Sequence, residues 1–398
     1  MTVPGPSVLD AVDVPALHRL LAARRADLVA DLVTYAEHET PSDDPALLAK
    51  GLAFLEAWLG ERLGAPVRRT HHEASGYGDV LVLDHDGTGH DGAGGRPLTV
   101  LAHYDTVWSA GTLEGWPVRV DGDVITGPGV FDMKAGLVQA VWAVRTLREA
   151  GLPHPPLRLV LTGDEEIGSP FSRPLIEAAC ADAAGVLVFE ASADGGAVKT
   201  ARKGVGLFDV HVRGLESHAG LDPTAGASAI DEIARVVRTL HSATDLAEGT
   251  TVNVGVLYGG TRSNVVAGAA GASIDVRVPS LAAQDRIDAL LAGLRPHDPR
   301  AAITVHGGWN RPVMERGAAI AQMYDLARAV AAQLGVDLPE TAVGGASDGN
   351  FAAALGLPVL DGLGAVGGGA HARHEHVRVD GMVERAAVAA GVVAAFGR

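Results

Sequence analysis

The chain of 398 residues is 47% apolar, carries a formal net charge of −16 and contains one cysteine. That length suffices for two domains, or one large one, with a sizeable core. The acidic balance argues against a nucleic-acid partner or an anionic membrane surface, and the solitary Cys180 excludes an internal disulfide and suits a reducing cytoplasm.

The opening residues MTVPGPSVLDAVDVPALHRLL lack a basic start followed by an apolar stretch, so no signal peptide is expected. No apolar run is long enough to span a bilayer. Residues 16–36 repeat apolar side chains at helical spacing and predict one amphipathic helix. VLVLDHD (80–86) and PLTVLAHYD (97–105) read as strands, the second buried. KAGLVQAVWAVRTLREAG (134–151) reads as a helix closed by Gly151. LRLVLTG (157–163) and GVLVFEAS (185–192) are further apolar strands. Helix-sized segments between apolar strands predict an α/β sheet with substantial parallel character.

The rhythm changes over 203–311. FDVHVRGLE alternates, ASAIDEIARVVRTLHSA is helical, and TVNVGVLYGG and ASIDVRVP alternate again. A small α+β insert with an antiparallel sheet is expected there, before the chain returns to long helices and the apolar PVLDGLG (358–364).

In open α/β sheets reactive groups gather at the C-terminal ends of strands. Those ends carry HYD (103–105), VFD (130–132), DEE (164–166) and FE (189–190), and a late glycine-rich loop adds GAHARHEH (369–376). Crowded carboxylates cannot all stay ionised without cationic compensation. Lys134 is the only lysine near any of these ends, and the chain has four lysines against 28 arginines. A pair of divalent metals would supply the missing charge. Oxygen and nitrogen donors without thiolates suit zinc in a catalytic site, and two metals about 4 Å apart need a bridging carboxylate.

HYDTV, GVFDMKAG, TGDEEIGS, VFEAS, ESHAG, RSNVV, NRPV, GGASDGN and GAHARHE together resemble the glutamate carboxypeptidase, aminoacylase and desuccinylase group of co-catalytic zinc hydrolases. The resemblance runs over nearly the whole chain in order and is closest to the glutamate carboxypeptidase branch. It implies a catalytic domain (1–202 and 312–398) with a mixed, largely parallel sheet, and an inserted α+β lid and dimerisation domain (203–311). It also implies two zinc ions per chain, with cobalt or manganese as substitutes, and a homodimer formed through the lid.

Residue by residue, the resemblance makes Asp132 the bridging ligand, with His103 and Glu190 on one zinc and Glu166 and His371 on the other. Asp105 orients His103 from behind, Glu165 is the general base, and the Asp132–Met133 peptide is cis. His374 and His376 are the alternatives to His371. His218 corresponds to a lid histidine that reaches the partner's active site and stabilises the oxyanion. Arg311 and Asn264 correspond to the clamp on the substrate's free carboxylate, and Arg277 is a further candidate. Lys199, Arg202 and Lys203 form a basic patch, either reading an acidic side chain of the substrate or lying at a hinge surface.

The implied function is hydrolysis of an amide bond by a metal-bridging water that Glu165 activates, releasing a C-terminal amino acid, with glutamate expected. An N-deacylase of the aminoacylase or desuccinylase kind shares the chemistry, as does an amide-processing enzyme of a biosynthetic pathway. A non-catalytic metal-binding scaffold fits poorly with the retention of Glu165 and all five ligands.

Overall fold

The computed structural model describes residues 3–5, 9, 12–88 and 95–397. The segment on which the absence of a signal peptide was read therefore lies partly outside the described residues. The chain forms two compact units, one of residues 1–201, 316–343 and 347–398, the other of residues 202–315 and 344–346. No helix among the described residues is long and apolar enough to cross a membrane.

The larger unit is built on a six-stranded sheet. Its strands in chain order are β1 (Arg68–His72), β2 (Gly78–His85), β3 (Leu98–His103), β4 (Leu157–Gly163), β5 (Gly185–Val188) and β6 (Val359–Leu360). Their spatial order is β1-β2-β4-β3-β5-β6. β1–β2 and β2–β4 pair antiparallel, whereas β4–β3, β3–β5 and β5–β6 pair parallel. The mixed, largely parallel sheet is the expected one. β3, β4 and β5 are buried along their whole length, as strands covered on both faces must be. Their apolar runs carry no polar alternation for that reason.

The helix Ala135–Glu149 is buried on nearly every side and packs against Val379–Phe396. Gly136 allows this close layer: a Cβ there would stand 1.9 Å from the carbonyl oxygen of Phe189, at the end of β5. The single helix expected over 16–36 is two helices, Val14–Ala23 and Arg25–Ala36, broken at Arg24. The break lets both apolar sets, Val14, Leu17 and Leu21 and then Leu28, Leu32 and Tyr35, reach the core. Arg25 meanwhile pairs with Asp123 and Asp380.

The smaller unit is a four-stranded antiparallel sheet in the order Thr251–Gly259, Ala269–Val278, Gly204–Arg213, Ala302–Arg311. One face carries Phe208, Val210, Val212, Ile274 and Val276 against Ile233, Val236 and Leu240 of one helix and Ala283 and Ile287 of another. Ser228 and Ser280 start those helices by accepting the backbone N–H groups of Asp231 and Ala283.

One buried histidine of the larger unit makes its stability depend on pH. His85 ends β2, is 4% exposed, and its Nε2 has no hydrogen-bond partner among the described residues. Burial, with Arg148 and His154 nearby, lowers its pKa from 6.5 to about 4, against the opposite pull of Asp84 and Asp86. The folded state therefore binds fewer protons than the unfolded chain below pH 6.5, and stability falls as pH drops from there toward 4. Such a shift corresponds to about 3 kcal/mol. Replacing His85 with Gln should remove that part of the slope. Urea unfolding of both proteins between pH 7 and pH 4 checks this; parallel curves would show that His85 protonates without cost.

Candidate metal centre

The C-terminal ends of the buried strands deliver acids and histidines to one place. β3 ends on His103, β4 runs into Asp164, Glu165 and Glu166, and β5 is followed by Phe189 and Glu190. The segment Val130–Lys134, just ahead of the buried helix, supplies Asp132, and its Asp132–Met133 peptide bond is cis. His371 comes from the glycine-rich loop near the C-terminus, with a left-handed φ of 59°.

Asp132 stands between two imidazoles. Its Oδ1 lies 3.4 Å from His103 Nε2 and its Oδ2 lies 3.3 Å from His371 Nε2. Glu190 Oε1 is 3.5 Å from His103 Nε2, and Glu166 Oε2 is 3.1 Å from His371 Nε2. All five residues that the resemblance names as ligands thus converge, in two groups joined by one carboxylate. Glu165 joins them: ligand-type atoms of His103, Glu165 and Glu190 lie within 4.8 Å of one another.

Asp105 supports both groups from behind. Its Oδ1 is 3.4 Å from His103 Nδ1, and its two oxygens accept the backbone N–H groups of Glu165 and Glu166, each at 3.2 Å. The Ser42 hydroxyl donates to it at 2.8 Å. His103 Nδ1 also lies 3.0 Å from the Asp105 carbonyl oxygen. A carbonyl can only accept, so in the neutral ring Nδ1 carries the proton and the Nε2 lone pair faces Asp132 and Glu190.

Charge is concentrated here. Burial would raise the Asp132 pKa, but the imidazoles of His103 and His371 facing its two oxygens hold it well below the usual carboxylate range. For His103 burial pulls downward, and the carboxylates of Asp105, Asp132 and Glu190 outweigh it. Hydrogen bonds to Asp132 and Glu166 raise His371 to about 10, while burial raises Glu166 to about 7. His103 Nε2 and Glu166 Oε1 are buried without a hydrogen-bond partner among the described residues. Buried polar atoms are normally satisfied. Two unsatisfied donor atoms in an all-nitrogen-and-oxygen cluster fit a divalent cation such as zinc.

Lys134, the lysine the sequence places beside the cluster, has another role. Its Nζ donates to the His38 carbonyl at 2.7 Å and stands 5.1 Å from the Tyr35 ring centroid. Burial lowers its pKa to about 8.

Glu375 has a role that its sequence position does not reveal. It serves in the sequence only as a marker four residues after His371. In the structure its buried carboxylate accepts the backbone N–H groups of Gly129, Phe131 and Asp132 at 2.9–3.1 Å, and the Trp108 indole N–H at 2.9 Å. The loop that presents Asp132 is wound around this one group. Asp164 is equally internal: it accepts from the backbone of Phe171 and Ser172 at 2.8 and 3.0 Å.

His374 and His376 do not join the cluster through any contact among the described residues. His376 belongs to the strand His376–Arg378, and its Nδ1 is 2.9 Å from the His374 carbonyl. In the smaller unit, His218 is exposed and its Nδ1 accepts the N–H groups of Gly220 and Leu221 at 3.2 and 3.1 Å. The neutral ring therefore carries its proton on Nε2. His218 bridges Val265, next to the exposed Asn264, whose carbonyl accepts from Ala219 at 3.0 Å. Arg311 closes the strand Ala302–Arg311, buried, 3.3 Å from Asn310 Oδ1.

Arg277 is engaged elsewhere. Asp275 holds its guanidinium through two hydrogen bonds of 2.8 and 2.9 Å, because two residues apart on one strand share a face. Of the basic patch, Arg202 donates to the Gly345 carbonyl at 3.2 Å and Lys203 to that of Gly249.

The sequence model of Peptidase family M20/M25/M40 matches residues 99–395. The chain belongs to this family. It is a metal-dependent hydrolase of amide bonds. Carboxypeptidase G2 of Pseudomonas sp. (strain RS-16) is 30% identical over 90% of this chain and 86% of its own length. Acetylornithine deacetylase of Myxococcus xanthus is 30% identical over 77% of this chain and 82% of its own. Among solved structures, aminopeptidase PepT from Bacillus cereus superposes with a TM-score of 0.72 at 20% identity, covering 94% of this chain and 99% of that one. That likeness concerns the fold.

The Glu375 clamp in this M20 member is testable. Glu375→Ala leaves three backbone donors and one indole donor unpaired in a buried loop. It should lower the stability of the larger unit by about 3 kcal/mol or more, since a buried donor that loses a charged acceptor costs about 1–3 kcal/mol. Urea unfolding monitored by tryptophan fluorescence measures it; a loss below about 1 kcal/mol would mean that water takes over the carboxylate's bonds.

Proposed function

We propose that the chain is a dinuclear zinc exopeptidase of the cytoplasm that releases a C-terminal amino acid, with glutamate the expected residue, from a peptide or N-acyl amino acid. Cobalt or manganese would substitute for zinc. The observation that carries this reading is the divided carboxylate of Asp132, with one oxygen toward His103 and the other toward His371. His103 and Glu190 would hold one cation, Glu166 and His371 the other, and Asp132 both. When bound, such cations polarise the amide carbonyl and acidify water.

The chain's own residues then divide the work. Glu165 takes the proton of the attacking water and returns it to the departing amine nitrogen. Asp105 holds Glu165 and Glu166 in register through their backbone N–H groups, so one glutamate binds while its neighbour moves a proton. His218 offers its Nε2–H to the oxygen that gains charge in the transition state. Arg311 and Asn264 grip the free carboxylate, to which the planar fork of an arginine is matched. The likeness to a carboxypeptidase supports release of a terminal amino acid. The likeness to acetylornithine deacetylase favours, as second reading, removal of a small acyl group from an amino acid. A substrate panel differing only in acyl group and C-terminal residue separates the two.

The two adjacent glutamates give the sharpest test of mechanism. Glu165→Gln should retain both metals and lose about 10²–10⁴-fold in rate, as removal of a general base does. Glu166→Gln should lose one metal equivalent. Elemental analysis with steady-state kinetics decides, and the opposite pattern of metal loss would reverse the roles.

We further infer a homodimer in which His218 serves the partner's site. His218→Ala and Glu165→Gln should each be nearly inactive alone. Co-expressed in equal amounts they should regain about a quarter of wild-type sites, because half of randomly paired dimers are mixed and each mixed dimer has one intact site. Activity no higher than the mean of the separate variants, with subunit exchange verified, would keep His218 in its own chain or outside catalysis.

A further inference from the structure

The loop that carries His371 presents a second group that neither metal binding nor proton transfer uses. Arg373 follows His371 by two residues, so their Cα atoms lie within about 7 Å. Its side chain is exposed, and its guanidinium carbon stands 5.5 Å from the ring centroid of Trp108 and 5.6 Å from that of Trp116. The two indoles meet edge to face, 4.9 Å apart at 73°. Two of the five tryptophans in the chain are thus committed to one arginine.

This aromatic seat is rigidly mounted. The Trp108 indole donates to Glu375, the carboxylate that also shapes the Asp132 loop. Between the two tryptophans, the backbone N–H groups of Gly111 and Leu113 donate to the two oxygens of Glu39, each at 2.8 Å. The Trp108 indole is therefore fixed to the carboxylate that positions the Asp132 loop, and Trp116 packs on it at the end of a segment pinned by Glu39.

Arg373 has no carboxylate within ion-pair distance among the described residues. Other surface arginines nearby do: Arg378 lies 3.3 Å from Asp123, and Arg25 3.0 Å from the same group. An arginine stacked on aromatic faces uses its π surface for attachment and keeps its in-plane N–H groups free. Those N–H groups form the fork that matches a carboxylate bidentately. Simple packing of an apolar stem on tryptophan does not account for this arrangement, because it is the charged head, not the stem, that the rings hold.

We propose that Arg373 is a specificity-determining residue that recognises a second carboxylate on the substrate, beyond the α-carboxylate of the released amino acid. The inference rests on the reading of this site as an amide hydrolase for carboxylate-bearing substrates. It assigns the preference for an acidic group to a residue beside His371, in place of the Lys199, Arg202 and Lys203 patch. Trp108 and Trp116 act as positioning residues for its guanidinium. The second carboxylate belongs either to the side chain of the released amino acid or to the acyl group, and the two sources are separable by experiment.

The test is a ratio. N-acetyl-L-glutamate against N-acetyl-L-glutamine places the charge on the amino-acid side, and N-succinyl-L-glutamine against N-acetyl-L-glutamine places it on the acyl side. The wild type should favour the acidic member of one pair in kcat/KM by about 10- to 100-fold, the range of a charge-assisted bidentate contact. Arg373→Gln should bring that ratio close to one, Arg373→Lys should restore part of it, and Trp116→Leu should reduce it. A merely structural role lowers both members of a pair alike and leaves the ratio where it was. The same compounds, titrated calorimetrically into Glu165→Gln and Glu165→Gln/Arg373→Gln proteins, give the ratio of dissociation constants without turnover. If no compound is hydrolysed but the affinity ratio still depends on Arg373, the hydrolase reading fails and the recognition role stands. A wild-type ratio near one in both pairs, or a ratio untouched by Arg373→Gln, overturns the proposal.

Discussion

The carboxylate of Asp132, divided between His103 and His371, is the contact around which the larger unit's cluster of acids and histidines is arranged. Holding one small acid between two imidazoles requires three separate chain segments to meet within hydrogen-bond range. The parallel strands bring His103, Glu166 and Glu190 to one edge because β3, β4 and β5 run side by side in the same direction. The Asp132 loop cannot be placed by the sheet, and Glu375 places it instead. One buried carboxylate gathers the N–H groups of Gly129, Phe131 and Asp132 and so aims the Asp132 side chain. Gly136, by admitting the Phe189 carbonyl against the helix, brings that loop and β5 into the same layer.

Crowding negative charge in a buried site is unfavourable unless each group has a defined counterpart. Asp105 illustrates how this is arranged. Its oxygens face an imidazole, two backbone N–H groups and a hydroxyl, so its charge is neutralised by dipoles and by His103. One oxygen of Asp164 accepts two backbone N–H groups just before the next helix. His103 Nε2, Glu166 Oε1 and the second oxygen of Asp164 find no hydrogen bond among the described residues, and the first two belong to the cluster. The framework thus neutralises the supporting carboxylates internally and leaves the donor atoms of the cluster open to a cation.

The smaller unit shows the same economy with a histidine. Two backbone N–H groups on His218 Nδ1 fix both the ring's tautomer and the direction of its remaining N–H. The strand Gly204–Arg213 and its neighbours keep their apolar face for the two helices, and His218 and Asn264 lie in loops.

Much of this protein can be read from the sequence. Buried strands show themselves as unbroken apolar runs, and acids or histidines directly after such runs mark the C-terminal edge of a parallel sheet. The fold class and the acids and histidines at 103, 166 and 190 show in that pattern, whereas 132 and 371, which follow no strand of the sheet, are marked by the family resemblance. Contacts between residues distant in sequence carry no such pattern. The break at Arg24 depends on two apolar faces finding the same core, and the pairing of Arg277 with Asp275 depends on side chains sharing one face of a strand. Which of His371, His374 and His376 approaches Asp132 depends on how the loop turns at its left-handed residue, and it is His371 that does. The clamp of Glu375 on a loop some 240 residues away was invisible for the same reason. Residue type and local order determined which chemistry this chain can perform; long-range backbone hydrogen bonds, which depend on where the folded chain meets itself, decided which residues are held in place to perform it.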